Sequence, residues 1–186
     1  MSRVMMVAVA FALSTGVAMA AEVGGVKLED KVTVGGQELV LNGAGIRTRA
    51  VFKVYVGSLY VPAKASNAAA VYAKAPRRVQ LNMLRDVAAD QMLDALVDGI
   101  KDGNPPADVA AVKPQSDQLA TILKGIGQLK EGNVLSFDYV DGATKVMLNG
   151  AEKGSIAGEA FNKALTNAWV GEKPVQADLK KAMLGG

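Results

Sequence analysis

Hydrophobic and polar residues alternate along several short stretches of the first half of the chain, a pattern typical of β-strands with one buried face. Residues 31–34 and 37–41 are two such stretches around Gly35-Gly36, and a Gly-Gly pair between strands predicts a two-residue hairpin. The glycine-containing residues 42–45 interrupt the alternation, which then resumes over residues 46–61. This last stretch is longer than an ordinary strand, so we expect a bend or a turn inside it.

The stretch 46–61 has two chemically different faces. Alternation places mostly apolar side chains on one face, and basic side chains with a phenol on the other. The apolar face contains Ile46, Thr48, Ala50, Phe52, Val54 and Val56, and the basic face contains Arg47, Arg49, Val51, Lys53 and Tyr55.

Helical spacing of apolar residues predicts an amphipathic helix over residues 88–101. Shorter helices are expected at 65–74 and 106–112, followed by one that Ser116 caps and by others at 158–170 and 175–184. Further strands are expected at 78–84 and in a hairpin at 134–140 and 144–148, with helices only after residue 148. The sequence therefore predicts one α+β domain, residues 21–186, with an antiparallel sheet and helices packed on one of its faces.

The first twenty residues have the organisation of a secretory signal peptide. Arg3 precedes an apolar run at residues 4–13, and Ala18-Met19-Ala20 is the small-x-small pattern that a signal peptidase accepts. The alternative, a membrane anchor, requires roughly 20 apolar residues. We therefore expect cleavage before Ala21, a periplasmic or secreted protein, and no membrane span.

Composition excludes several classes of chemistry. The chain contains no cysteine and no histidine, which rules out disulfides, thiol nucleophiles, and a Ser-His-Asp hydrolase. Lys+Arg exceed Asp+Glu by only three, so nucleic-acid binding is not indicated. Asp102, Asp138 and Asp141 lack the spacing of a calcium loop, and we expect neither a metal nor a cofactor.

Several segments resemble the chalcone isomerase-like family. Residues 41–47, Leu-Asn-Gly-Ala-Gly-Ile-Arg, and 52–61, Phe-Lys-Val-Tyr-Val-Gly-Ser-Leu-Tyr-Val, are similar to its signature, and residues 84–87, 161–171 and 173–181 agree in order. The export signal is similar to that of the family's bacterial branch. The resemblance implies an open sandwich in which an antiparallel sheet is wrapped by helices, with a ligand cleft between them.

The resemblance also implies candidate site residues. Arg47 matches the arginine that, in the plant enzymes, polarises a ketone and steadies a phenolate. The other four catalytic positions fall at Tyr55, near Gln91–Met92, near Asp98 and at Ala168, and all four carry different groups here. A second branch of the family keeps the arginine, lacks cyclase activity, and binds fatty acids through their carboxylate.

Each candidate also has a structural interpretation. Arg47 presents a fork of donors suited to an anionic oxygen pair, or is a surface arginine at a strand end. Arg49 shares its face and is the second candidate. Tyr55 either donates to a ligand or packs in the core. Asp86 is interpreted as a helix cap, while Trp169, Phe161 and Met92 either line a cavity or fill the core.

Three hypotheses follow from these residues. The leading one is an exported, non-catalytic protein that binds a small apolar anionic ligand, such as a fatty acid, through Arg47, Arg49 and Tyr55. The alternative is an isomerase or cyclase that uses Arg47 as electrophile and Tyr55 as proton donor. The third is an envelope protein that binds a partner and no small ligand, which an empty and closed cleft would favour.

Overall fold

Within residues 21–73 and 75–186, which the computed structural model describes, the chain forms eleven strands and six helices. The strands are β1 (Ala21–Val23), β2 (Val26–Leu28), β3 (Lys31–Val34), β4 (Gln37–Arg49), β5 (Phe52–Val61), β6 (Arg77–Met83), β7 (Val87–Ala88), β8 (Gln128–Leu129), β9 (Val134–Val140), β10 (Ala143–Leu148) and β11 (Ala151–Ala157). The helices are α1 (Ala68–Tyr72), α2 (Ala89–Gly103), α3 (Pro106–Ala111), α4 (Lys113–Ile126), α5 (Glu159–Val170) and α6 (Ala177–Met183). The predicted signal peptide, residues 1–20, lies outside the described residues.

Seven strands form one antiparallel sheet in the order β11-β10-β9-β6-β5-β4-β3. Two predicted hairpins are confirmed, because β3 joins β4 through Gly35-Gly36 and β9 joins β10 through Asp141-Gly142. All four turn residues have positive φ, which these tight turns require. Helices α2, α4, α5 and α6 pack against one face of the sheet, so the predicted α+β class is confirmed.

The main hydrophobic core lies between the helices and the sheet. It includes Trp169 of α5, whose ring centroid is 6.0 Å from that of Phe137 on β9. A smaller cluster on the other face contains Tyr60 and Val140. A Cβ on Gly35 would overlap the Val140 side chain, so the β3–β4 hairpin packs closely on the end of β9. This long-range contact shows that the sheet is strongly curled.

The expected turn inside residues 46–61 is confirmed and lies at Ala50-Val51, between β4 and β5. The expected alternation of faces is wrong near this turn. A β-bulge shifts the register between Arg47 and Thr48, and Phe52 is paired with Arg49. Phe52 therefore lies on the face that carries Arg47 and Arg49, and Lys53, paired with Thr48, lies on the opposite face. The reason is that a bulge and a turn each reset the two-residue period.

Strand β4 continues through residues 42–45, where an interruption of the alternation was expected, although its register with β5 does shift between Leu41 and Gly43. These glycines allow α6 to lie directly on the strand. A Cβ on Gly43 would overlap the carbonyl oxygen of Ala182, and one on Gly45 would lie 2.8 Å from the Cβ of Ala182. Close packing of α6 therefore explains these glycines, and they do not mark the end of a strand.

Helix α4 begins at Lys113, so Ser116 is not its cap. Pro114 lies in the first turn, where a proline loses no intrahelical hydrogen bond. The Ser116 hydroxyl instead donates to the carbonyl oxygen of Val112 over 3.1 Å.

Strand β11 was not expected, because helices alone were predicted after Leu148. It follows the tight turn Asn149-Gly150 and forms the sheet edge beside β10. Only Ile156 of its seven residues is buried, and such an edge strand has no alternating pattern by which to detect it.

Candidate functional site

A cavity of about 930 Å³ lies between the β4–β5 hairpin and helices α2 and α5. Residues 173–175, which follow α5, complete its wall. The volume falls within the roughly 300–1,000 Å³ of small-molecule sites. The cleft is open to solvent, whereas a closed cleft was the feature expected of a protein without a small ligand.

Buried apolar side chains from two helices form the floor of the cavity. Met92 and Leu96 come from α2, and Ala168 and Trp169 come from α5. The two helices approach closely because α2 has a glycine at the contact: a Cβ on Gly99 would lie 2.7 Å from that of Ala168. The floor can therefore accept an apolar molecule without leaving polar groups unpaired.

Arg47 is half-buried in the sheet wall and is held by the segment that precedes α6. Its Nη1 donates to the carbonyl oxygen of Thr48 over 2.7 Å and to Oε1 of Gln176 over 3.2 Å. Gln176 is itself anchored at the β-bulge, since its Oε1 accepts from the backbone N–H of Thr48 and its Nε2 donates to the carbonyl oxygen of Ile46. These two hydrogen bonds both use Nη1.

Tyr55 lies directly across from Arg47, as its Cα partner on the neighbouring strand. The indole Nε1 of Trp169 donates to the Tyr55 hydroxyl oxygen over 3.0 Å, which leaves the phenolic proton free to donate elsewhere. Burial raises the pKa of Tyr55 above its usual value, and the hydrogen bond with Trp169 and the nearby Arg47 guanidinium oppose this only in part. The phenol is therefore neutral and a hydrogen-bond donor at physiological pH.

The cavity rim carries charges of both signs, and one acidic residue, Asp86, directly follows Arg85 on the hairpin side. On the hairpin side, Arg49 is exposed, and the guanidinium carbon of Arg85 lies 4.6 Å from the centre of the Phe52 ring. On the α2 side the rim carries a row of exposed carboxylates with four-residue spacing, at Asp94, Asp98 and Asp102. An anion in the cavity is thus attracted towards the sheet wall and repelled from α2.

The structure brings the three predicted ligand-binding residues, Arg47, Arg49 and Tyr55, to this single cavity. Arg47 and Tyr55 are neighbours in the wall, whereas Arg49 is exposed at the rim. The cavity also includes the other positions that the family resemblance singled out, Gln91, Met92, Asp98 and Ala168. Binding by these residues stays a prediction, but their convergence on one cavity is a property of the fold.

Of the aromatic candidates, Trp169 lines the cavity, whereas Phe161 packs in the core and does not. The predicted capping role of Asp86 is wrong. Its carboxylate accepts from the backbone N–H of Glu131 over 2.8 Å, and the α2 N-terminus has no side-chain cap.

Gln176 is the site residue that sequence reasoning missed. No pattern in the sequence singles it out, because its role depends on α6 lying across β4. The sequence pattern placed Gln176 inside the predicted helix 175–184, whereas the structure places it at the N-cap position, immediately before α6.

Within residues 21–73 and 75–186, two kinds of feature are absent. No group of three or more acidic, histidine or cysteine side chains is placed to hold a metal ion. No helix in this part of the chain has the length and apolar character needed to cross a membrane.

A comparison with curated protein sequences finds no significant match. Among solved structures, the crystal structure of a fatty-acid binding protein from Arabidopsis thaliana is similar, with a TM-score of 0.66 and 11% sequence identity. The similarity covers 86% of this chain and 92% of that one, and at this identity it shows a shared fold. A family profile described as chalcone isomerase-like matches residues 20–185. Because this match spans nearly the whole chain, in agreement with the shared fold, the chain belongs to the chalcone isomerase-like family.

Proposed function

We propose that this protein binds an apolar molecule carrying one carboxylate or phenolate, such as a fatty acid, and that it does so without catalysing a reaction. One observation carries the proposal: Arg47 and Tyr55 lie side by side in the wall of a cavity whose floor is apolar and buried. The fatty-acid binding protein from Arabidopsis thaliana, which has the same fold, supports this choice of ligand class.

In the proposed complex the anionic group of the ligand meets two kinds of donor. The Nε and Nη2 groups of Arg47 donate to its oxygens, while Nη1 keeps its bonds to Thr48 and Gln176. The Tyr55 hydroxyl, whose oxygen already accepts from Trp169, donates its proton to the same group. The apolar part of the ligand then lies over the floor formed by α2 and α5.

The acidic rim supports one orientation of the ligand. Asp94, Asp98 and Asp102 line the α2 side of the opening and repel a carboxylate there. Arg47 and Arg49 on the sheet side attract it. The proposed ligand is therefore bound with its anionic end against β4 and β5.

The non-catalytic part of the proposal rests on the missing polar groups. Ala168 provides no hydroxyl where the cyclase pattern has one, and the chain contains no histidine to act as a base. A second candidate, an isomerase or cyclase, is favoured by the direct pairing of Arg47 with Tyr55. Incubation with a chalcone separates the two: we expect cyclisation at the uncatalysed rate, and saturable turnover lost in Arg47→Ala would establish the enzyme instead.

The ligand class is tested by mass spectrometry of small molecules released from gently purified protein. We expect co-purifying fatty acids or related apolar anions from the wild type and far less from Arg47→Ala. Lys153→Gln is the matched control, because Lys153 is an exposed basic residue on β11 that does not line the cavity.

The role of Arg47 is tested by calorimetric titration with fatty acids of graded chain length. A charge-assisted hydrogen-bonded contact is worth about 1.5–3 kcal/mol, so Arg47→Ala should weaken binding by about ten- to a hundredfold. Arg47→Lys should restore only part of the affinity, because lysine lacks the planar fork. Equal affinities of wild type and Arg47→Ala for the acids would refute the clamp, and Arg49→Ala would then be measured.

We also propose that the protein acts outside the cytoplasm after removal of residues 1–20. The support is the signal-like sequence alone. N-terminal sequencing of the protein from the periplasmic fraction should begin at Ala21, and intact mass that retains Met1 would contradict this.

A further inference from the structure

The turn between β4 and β5 differs in composition from the other tight hairpin turns of the described residues. Those four turns are made of residues that tolerate positive φ at little cost, namely Gly24-Gly25, Gly35-Gly36, Asp141-Gly142 and Asn149-Gly150. The β4–β5 turn is Ala50-Val51, and Ala50 has a φ of 52°. Alanine in this left-handed conformation is strained, so turn formation does not explain the choice of residues here.

The same turn exposes an apolar tip to solvent. Val51 is 85% exposed and Phe52 is 56% exposed, the two highest values among the large hydrophobic residues of the described chain. Exposing most of two adjacent apolar side chains to water is unfavourable. We call Ala50, Val51 and Phe52 the hairpin tip.

Basic side chains surround the hairpin tip. Arg49 and Lys53 flank it along the chain, and Arg85 stacks on Phe52 from the neighbouring segment. All three are exposed, and none forms a salt bridge with another described residue. Their charges are therefore available to an anionic surface.

We propose that the hairpin tip docks on the surface of an anionic lipid bilayer, with Val51 and Phe52 inserted among the headgroups and Arg49, Lys53 and Arg85 on the lipid phosphates. An apolar tip within a basic rim is complementary to such an interface, whose outer layer is negatively charged and whose interior is apolar. A protein partner fits less well, because two side chains supply little of the about 800 Å² that each partner commonly buries.

The hairpin tip lies at the opening of the cavity. Arg49, Ala50, Phe52 and Arg85 also line the cavity opening, so docking would place that opening at the membrane surface. The acidic row of α2, which an anionic bilayer repels, lies on the other side of the opening and restricts docking to the hairpin side. Docking needs no bound ligand, so it stands or falls independently of the proposed ligand binding.

Co-sedimentation with vesicles tests the proposal. The wild type is compared on vesicles of phosphatidylglycerol with phosphatidylcholine and on vesicles of phosphatidylcholine alone, with each variant prepared in the same N-terminal form as the wild type. We expect binding to the anionic vesicles that weakens with added salt, and little binding to the neutral ones. The double variant Val51→Ser/Phe52→Ser should bind at least about tenfold more weakly, because the apolar insertion is lost.

Variants of equal net charge distinguish the contribution of basic residues at the hairpin tip from the effect of the overall charge of the protein. Each basic residue near an anionic surface contributes about fivefold in affinity, so Arg49→Gln/Lys53→Gln should weaken binding by about 25-fold. The control Lys124→Gln/Lys153→Gln has the same net charge, but both residues are exposed elsewhere, on α4 and β11. An equal loss in both double variants would overturn the proposal, as would unchanged binding of Val51→Ser/Phe52→Ser.

The absence of cysteine allows a direct measurement of insertion. An environment-sensitive fluorophore attached through Val51→Cys should move to shorter emission wavelengths when anionic vesicles are added. The same fluorophore attached through Lys153→Cys should not respond. If the label on the hairpin tip stays in water, or if the protein remains in the supernatant with both vesicle types, the membrane role is refuted and a protein contact takes its place.

Discussion

The indole N–H of Trp169 donates a 3.0 Å hydrogen bond to the hydroxyl oxygen of Tyr55, 114 residues earlier in the chain. Both side chains are buried and both line the cavity. The bond connects α5 to β5 and orients the phenol towards Arg47. It therefore links the stability of the fold to the geometry of the candidate site.

Tyr55→Phe should lower both stability and ligand affinity. Without the hydroxyl the buried Trp169 N–H has no acceptor, which should reduce the free energy of unfolding by about 1–3 kcal/mol. Urea unfolding measures the stability, and titration with a fatty acid measures the affinity. Trp169 is the only tryptophan, so its fluorescence reports on the cavity wall in both experiments.

Tyr60→Phe is the matched control for this substitution. The Tyr60 hydroxyl is buried and has no hydrogen-bond partner among the described residues. Its removal should leave the free energy of unfolding unchanged or raise it. Equal destabilisation by the two tyrosine variants would show that the bond to Trp169 contributes nothing.

Gln176→Glu should reduce the preference of the cavity for an anion. The two side chains have nearly the same shape, so the bond from Thr48 N–H can persist, while the bond to the Ile46 carbonyl oxygen is lost. The new carboxylate neutralises Arg47 and repels the ligand. We expect affinity for a fatty acid to fall by about tenfold, and affinity for its methyl ester to change little.

The acid-to-ester ratio distinguishes positioning of Arg47 from general damage, which would weaken both ligands alike. Gln118→Glu, at an exposed position on α4, adds the same charge away from the cavity and should leave both affinities unchanged. An unchanged ratio in Gln176→Glu would contradict the positioning role of Gln176.

Gly43→Ala should destabilise the protein by about 1–3 kcal/mol, because the new methyl group would push α6 away from β4. The displacement should also weaken ligand binding, since Gln176 immediately precedes α6. The control is Gly125→Ala on α4, where a Cβ would meet nothing within 4 Å. This second change should stabilise the protein by about 0.5–1 kcal/mol, as is usual for glycine in a helix. Thermal unfolding of the two variants should therefore shift in opposite directions.

Stability should be lost at high pH through the tyrosines. Burial raises the pKa of all four, to about 12 for Tyr60 and Tyr72. Because the folded-state pKa lies above the unfolded value of about 10, this contribution to stability is fully present below that value and is lost as the pH rises through the folded pKa. The free energy of unfolding should fall above about pH 10.

Ultraviolet titration of the phenolate checks this expectation. Folded protein should show delayed ionisation of the tyrosines, while protein unfolded in urea should titrate near pH 10. Phenolate formation at the same pH in both states would contradict it. Ligand binding should be constant between about pH 6 and pH 9, because the chain has no histidine and Tyr55 stays neutral there.

The sequence by itself determined the α+β class, the two predicted hairpins and the amphipathic helices. These features depend on local signals, namely alternation, helical spacing and turn residues such as Gly35-Gly36 and Asp141-Gly142. The family signature, which is also a local pattern, identified Arg47 and Tyr55 as candidates. The two residues lie in one cavity wall because they belong to the two strands of one hairpin. The turn of this hairpin was predicted from the length of the alternating stretch 46–61.

Only the tertiary structure decided how that wall is completed. Gln176 and Trp169 are 129 and 114 residues away from the partners they hold, and no local pattern encodes pairings at such separations. Gly43 looked like an interruption of the strand pattern, because the helix that requires a glycine there comes from the other end of the chain. The bulge at Arg47 likewise moved Phe52 to the basic face. At this bulge Gln176 forms hydrogen bonds with the backbone of Ile46 and Thr48, in place of a neighbouring strand. The alternation of residues along the sequence does not reveal such a change of register.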